Sequence, residues 1–389
     1  MHPFTHSTYL PTKSLVEESP YNWQGAPKIF ERPVARSGYS VVDLFSGAGG
    51  ASLGFSMAGF EVVMGIDIHI PSMNTFLHNH TGAVGILGDI RKVPEGIVLD
   101  LLNHIHIHVL LAGVPCQGFS LNNKKRDPND PRNYLFWEFI RFVNILKPDF
   151  LVLENVSGMK STANGKFVEA IEAAIKEVGK QNNRNYKVEH RILDAADFGV
   201  PQHRKRLIFL ACAEEFSLQW PRPSFGPHRN PYRTVFDAIG DLPPLKAGET
   251  ATHYPGPPRT AYQRLMRGKS NVLLNHEAPR HPQNTIEKIQ KTQPGQPMYP
   301  RYTQRIRLSW DAPSPTQVAG GIRPQFQFGH PRDARGLTVR ERARIQSFPD
   351  WYEFLGGVVQ GRVQTGNAVP PLLAKAIADQ IKTSLRNHG

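Results

Sequence analysis

The chain has 389 residues with 46 Lys and Arg against 33 Asp and Glu, 40% hydrophobic and 10% aromatic residues, which excludes a wholly disordered polymer. Two cysteines, Cys116 and Cys212, exclude a disulfide scaffold, and a longest apolar run of Val109–Pro115 with a mean hydropathy of −0.39 excludes a helical membrane span. A net charge of +13 points to a polyanionic partner, and the whole suits a cytoplasmic protein.

Residues 1–38 form a polar N-terminal extension broken by Pro3, Pro11, Pro20 and Pro27, without the apolar centre of a signal peptide. From residue 39 to 212 the sequence alternates between strands and helices. Ser40–Phe45 reads as a buried strand that ends at the Gly-rich turn Ser46–Gly50, followed by a helix to Ala58. Strands are expected at Glu61–Ile66, Val84–Ile86, Val109–Ala112, Phe150–Leu153, Tyr186–Leu193 and Arg206–Cys212. Helices are expected at Pro71–His80, Arg132–Leu146 and Lys166–Val178. This alternation indicates an α/β fold with a parallel sheet covered on both faces.

Residues 213–330 change character. Nine prolines fall within residues 221–260, where average usage gives about two, so loops and short strands are expected. Over residues 201–340 there are 21 Lys and Arg against 9 Asp and Glu, a net of +12, which places nearly all the excess charge in one stretch. A separate, irregular, basic module explains its length better than a linker does.

In a parallel sheet the ligand lies beyond the carboxyl ends of the strands. The residues at those ends are Ser46–Gly50, Asp67, Asp89, Cys116 and Glu154. Glycines after the first strand admit a ligand close to the backbone and expose amides at a helix start. Asp67 can accept hydrogen bonds from ribose hydroxyls, and Gly88-Asp89-Ile90 offers an acceptor for an adenine amino group beside an apolar face. Cys116 at a strand end can act as a nucleophile if its thiolate is favoured, with Glu154 on the neighbouring strand as proton donor. Gln202, Arg204 and Arg206 alternate along one face of a strand opening at residue 202, and two adjacent arginines can hold an oxygen or a phosphate. His104, His106 and His108 would share a strand face, but no metal is assigned to them.

Taken in order, these residues resemble the cytosine-C5 DNA methyltransferases of bacterial restriction–modification type, over roughly residues 40–385. The match comprises Asp43–Gly50, Gly88-Asp89, Gly113–Ser120, Glu154-Asn155-Val156, Gln202–Arg206, Leu337–Asp350 and Gln364–Pro370. The resemblance implies a Rossmann-like S-adenosylmethionine-dependent sheet at 39–212, a smaller target-recognition domain at 213–330 and a returning segment at 331–389.

It further implies transfer of a methyl group from S-adenosylmethionine, leaving S-adenosylhomocysteine, to C5 of a flipped-out cytosine in a short double-stranded DNA sequence. Cys116 would form the covalent bond to C6, Glu154 would protonate or hydrogen-bond N3, and Arg206, with Arg204 nearby, would hold the cytosine O2 or the backbone at the site. Phe45, Gly47, Ala48, Gly50, Asp67, Asp89, Ile90, Gly113, Pro115 and Asn367 would hold the cofactor. Ser120, Lys124, Lys125, Arg126, Gln202, Arg301, Arg305, Arg307, Thr316 and Arg323 would contact DNA; arginine to guanine is the commonest specific base contact. Two departures stand out: Ile68 follows the ribose acid where the family often has an aromatic, and Gln317 separates Thr316 from Val318. A monomer acting on DNA in the bacterial nucleoid is implied, paired in function with a restriction endonuclease without obligate contact.

Three other readings are weaker. An RNA-directed member of the family would lack the basic insert. A nicotinamide oxidoreductase conflicts with Ser52 at the third fingerprint position. A catalytically silent DNA-binding module conflicts with the intact Cys116, Glu154 and Arg206.

Overall fold

The computed structural model describes residues 23–31, 38–103, 105–115, 135–319 and 327–388, with the backbone alone at 161–164. Two compact units emerge, one of residues 1–194, 205–222 and 373–389, the other of residues 195–204 and 223–372.

The first unit is an eight-stranded sheet in the order β1-β4-β3-β2-β5-β6-β8-β7. Its strands are β1 (Lys28–Phe30), β2 (Ser40–Leu44), β3 (Glu61–Asp67), β4 (Val84–Leu87), β5 (Val109–Gly113), β6 (Phe150–Val156), β7 (Tyr186–Asp194) and β8 (Lys205–Ala213). Strands β4, β3, β2, β5 and β6 pair in parallel. The near-continuous burial of β2, β4 and β5 explains why they read as apolar runs. The sheet is mixed rather than wholly parallel, since β1 runs antiparallel to β4 and β8 antiparallel to both β6 and β7. Reversal of β8 brings its first residues to the same edge as the carboxyl ends of the parallel strands.

Helices α1 (Gly50–Met57), α2 (Ile70–Asn79), α3 (Glu95–Leu102), α4 (Phe136–Leu146) and α5 (Lys166–Gln181) connect these strands. The N-terminal extension contributes β1, whose Phe30 packs with Val62, Phe76 and Leu77. A three-residue strand behind Pro27 falls below what alternation can signal.

The second unit holds the short helices α6 (Val235–Ile239), α7 (Ala261–Arg267), α8 (Gln283–Lys291), α9 (Val339–Ile345) and α10 (Gly357–Asn367) within largely irregular chain. Helix α11 (Pro371–His388) follows. The expected division at residue 331 is corrected, because residues 331–372 belong to the second unit and only 373–389 rejoin the first. The reason is packing: Leu337 and Ile345 share a buried cluster with Val235, Tyr262, Met266 and Leu308.

Buried charge ties the same segment down. Arg344 lies between Asp350, at 2.6 Å, and Asp241, at 2.5 Å, while Tyr254 donates to Asp350 and Arg267 to Asp241. Removing one partner of a buried pair leaves an uncompensated charge. Arg344→Leu should therefore destabilise the second unit by roughly 3–5 kcal/mol, read as a drop of about 6 °C or more in its thermal unfolding midpoint. An unchanged midpoint would show that the network contributes nothing.

Candidate active site

The Gly-rich turn leaves β2 through three left-handed residues, Phe45 (φ 57°), Gly47 (φ 53°) and Gly49 (φ 82°). Phe45 is not glycine, so this conformation costs about 1–3 kcal/mol. Where a Cβ on Gly47 would stand there is open space. The Gly47 amide donates to Asp67 Oδ2 at 2.8 Å, and the His69 amide donates to Oδ1 at 2.7 Å. Asp67 therefore pins the turn to the end of β3 while keeping lone pairs for further donors. Beneath it lies Asp43, fully buried and accepting from the Ser52 hydroxyl. Burial, reinforced by the charge of Asp67, pushes the Asp43 carboxyl up to about 7, although the Ser52 bond opposes it.

Asp89 faces a different partner. Arg91 grips both of its oxygens through Nε and Nη2, at 2.6–3.1 Å, which lowers its pKa, and the Ile90 side chain is buried.

The edge of β5, β6 and β8 carries the second group. Gly113 pairs with Glu154 and Val156 with Arg206. A Cβ on Gly113 would lie 3.9 Å from Glu154 Oε2, so glycine leaves room above that carboxylate. Arg206 Nε bonds Glu154 Oε1 at 2.7 Å, and its Nη1 donates to the Lys205 carbonyl at 2.8 Å. Both side chains are mostly buried yet reach solvent, at 12% and 18% exposure. Asn155, named in the sequence pattern without a role, is buried and donates to the Val114 carbonyl at 3.3 Å. It thus fastens the chain that runs from β5 to Pro115.

Several expected site residues, Cys116, Ser120, Lys124, Lys125, Arg126 and Arg323, lie outside the described residues, as does His104. His106 and His108 precede β5 rather than sharing a strand face; His106 bonds Asp149 at 2.8 Å, and His108 Nδ1 accepts from the Ser40 amide.

Other expectations are corrected. The strand opens at Lys205, not at residue 202, so Gln202 and Arg204 do not continue the face of Arg206. Both are buried within the second unit. Gln202 donates to Gln346 Oε1 and accepts from the Gln317 amide. Arg204 donates to the carbonyls of Gln317 and Gly366, at 2.8 and 3.0 Å. Irregular backbone leaves carbonyls unpaired, and a guanidinium with five donors can satisfy several at once.

Arg307 follows the same rule, donating to the carbonyls of Gln290, Thr292, His330 and Arg332, so it is no free groove reader. Arg305 is buried beneath the Tyr299 and Tyr302 rings. Arg301 is exposed, as is Asn367, which ends α10, while Thr316 is half-buried and its hydroxyl donates to the His203 carbonyl.

A Gly-rich turn and a carboxylate–guanidinium pair thus stand at one edge of a mixed α/β sheet. Residues 39–383 match the model of the C-5 cytosine-specific DNA methylases, and the chain belongs to that family, making it a DNA cytosine-C5 methyltransferase. It is 37% identical over 352 residues to the Type II methyltransferase M1.HphI of Haemophilus parahaemolyticus, covering 87% of this chain and 86% of that one. It is 36% identical over 380 residues to M.DdeI of Desulfomicrobium norvegicum, covering 90% and 89%. Among solved structures, a prophage-encoded DNA modification methyltransferase from Escherichia coli aligns with a TM-score of 0.73 at 25% identity, over 90% of this chain and 99% of that one. Spodoptera frugiperda DNMT2, with a TM-score of 0.55 at 17% identity over 89% and 99%, shares the fold. No helix among the described residues is long and apolar enough to cross a membrane.

The electrostatics of the turn make a testable statement. The native state holds the Asp43 proton up to about pH 7, whereas the unfolded chain releases it near 3.8. Unfolding therefore releases the Asp43 proton across this window, and the Asp43 contribution to stability falls as pH rises from about 4 to about 7. Asp43→Asn keeps an acceptor for Ser52 and should remove that slope. Its unfolding midpoint should gain on the native chain between those values and not below them; parallel pH profiles would contradict this.

Proposed function

We propose that this chain transfers a methyl group from S-adenosylmethionine to C5 of a cytosine in a specific double-stranded DNA sequence, as the modification enzyme of a Type II restriction system. The observation that carries the reading is the Glu154–Arg206 pair at 2.7 Å, set beside Gly113 where the chain leaves β5 toward Cys116. The names of the relatives support the restriction–modification setting.

Cytosine C5 is a weak nucleophile, and the target base is stacked inside the duplex, so it is first flipped out. The Cys116 thiolate adds to C6 while Glu154, protonated for this step, passes its proton to N3, and the ring electrons move to place a double bond between C4 and C5, so that C5 bears enamine character. Arg206 orients the Glu154 carboxylate through Nε. With Nη1 on the Lys205 carbonyl, its other terminal nitrogen faces the task of holding the cytosine O2. After methylation a base, water included, takes the C5 proton, the N3 proton returns to Glu154, and the C5–C6 double bond re-forms as Cys116 leaves as thiolate.

The cofactor supplies an electrophilic methyl group. Open space over Gly47, and an Asp67 carboxylate with lone pairs beyond its two amide bonds, fit such a ligand. Phe45, Gly47, Ala48 and Gly50 would line the turn, and Asp67 would take the ribose hydroxyls. Asp89 and Ile90 would flank adenine, with Gly113 and Pro115 at the methionine end. Asp89 carries Arg91 with it, so an adenine amino group would share an acceptor already held by a guanidinium.

The test is transfer of labelled methyl groups to bacterial duplex DNA, followed by base-resolution sequencing. Label should appear at C5 of cytosine within one short sequence. Glu154→Gln should lower kcat roughly 10²-fold or more while leaving S-adenosylmethionine affinity unchanged. Label on adenine, on cytosine N4 or on RNA alone would overturn the reading, and an unchanged kcat would remove Glu154 from the chemistry.

A further inference from the structure

Helix α9 buries three arginines, Arg340, Arg342 and Arg344, and among the described residues only two of them meet opposite charge. Arg344 lies on Asp350 and Asp241, and Arg340 lies 3.7 Å from Asp350. Residues two positions apart on a helix face opposite ways, so Arg342 turns to the other side. There Nε donates to the Thr365 hydroxyl at 3.1 Å, and Nη2 donates to the carbonyls of Val318 and Arg362 at 2.9 and 3.4 Å. All three acceptors are neutral. Its neighbour is Arg362 on α10, a partly buried cation. Among the described residues, no carboxylate lies within ion-pairing distance of either guanidinium.

This arrangement is costly, because buried charges are ordinarily paired. Burial, with the Arg362 charge added, pushes the Arg342 guanidinium down to about 9, and burial also lowers Arg362. The nearby His281 offers no relief. Burial, then the charges of Arg362 and Arg335, push it down to about 4, so it stands neutral. Arg335 is itself matched by Glu341 and Asp333. The floor is rigid: a Cβ on Gly366, next to Thr365, would stand 2.3 Å from the Ala319 amide nitrogen. Among the described residues nothing supplies the missing negative charge, and Arg362 is the member of the pair that is not fully buried and so can meet an anion.

We propose that Arg362, backed by the buried Arg342, is a docking point for one backbone phosphate of the DNA duplex. The guanidinium fork matches a phosphate in geometry. This rests on the reading of the chain as a DNA methyltransferase and adds a contact that fixes the register of the duplex without reading its sequence.

The test uses the full chain, duplexes with and without the methylated sequence, and the variants Arg362→Ala, Arg362→Gln and Arg362→Lys. Binding is followed against salt. Arg362→Ala and Arg362→Gln should weaken both duplexes by the same factor, roughly 5–10-fold at low salt, and lower the slope of log affinity against log salt by about 0.9. Arg362→Lys should retain most of that slope, and S-adenosylmethionine affinity and kcat at saturating DNA should stay unchanged.

A scan of duplexes carrying one neutral methylphosphonate at successive positions locates the contact. The native chain should lose affinity at one position where Arg362→Ala shows no further loss. An unchanged salt slope, a loss confined to the methylated sequence, or additive losses at every methylphosphonate would each overturn the site. If the native chain binds no duplex at all, the reading of the chain fails first.

Discussion

Everything at the candidate active edge depends on the register of three strands. β5 and β6 run parallel and pair Gly113 with Glu154; β8 runs back against β6 and pairs Arg206 with Val156. Side chains alternate between sheet faces with a period of two, so a slip of one residue would send Glu154 to the wrong face and part it from Arg206. The flanks of these strands hold that register. The residues from Phe150 to Leu153 and from Leu207 to Ala213 are buried and apolar, and any slip would expose them. The 2.7 Å ion pair is thus set by hydrophobic burial some residues away.

Much of this was legible in the sequence. Strands buried on both faces are nearly continuous apolar runs, and Val41-Val42, Val109–Leu111 and Leu151–Leu153 announced themselves, as did Asp67 at the end of β3 and Glu154 near the end of β6. What escaped were features whose cause is not periodic. β1 is three residues long. Gln202, Arg204 and Arg206 do alternate, but alternation does not say where a strand begins, and the first two lie before β8. The segment 331–372 went to the second unit because of apolar contacts from Leu337 and Ile345 to distant helices, which no local pattern announces.

The arginines teach the most general point. In a proline-rich, irregular region the backbone makes few ladders, and its carbonyls need donors. Arg204, Arg307, Arg340 and Arg342 answer that need from inside, each bonding at least two carbonyls. Part of the +12 charge of residues 201–340 therefore cross-links the unit instead of facing a polyanion. Counting charge along the sequence overstates the surface available to DNA, and burial separates the two uses.

The central claim is that this edge supports covalent attack on cytosine. Duplexes carrying 5-fluorocytosine at the methylated position, incubated with the chain and S-adenosylmethionine, test it most directly, since fluorine cannot leave C5 as a proton does. The account predicts a protein–DNA adduct that survives denaturant, maps by peptide mass to Cys116 and is absent from Cys116→Ala. A chain that methylates the unmodified duplex yet forms no adduct, or forms one through another residue, would contradict it.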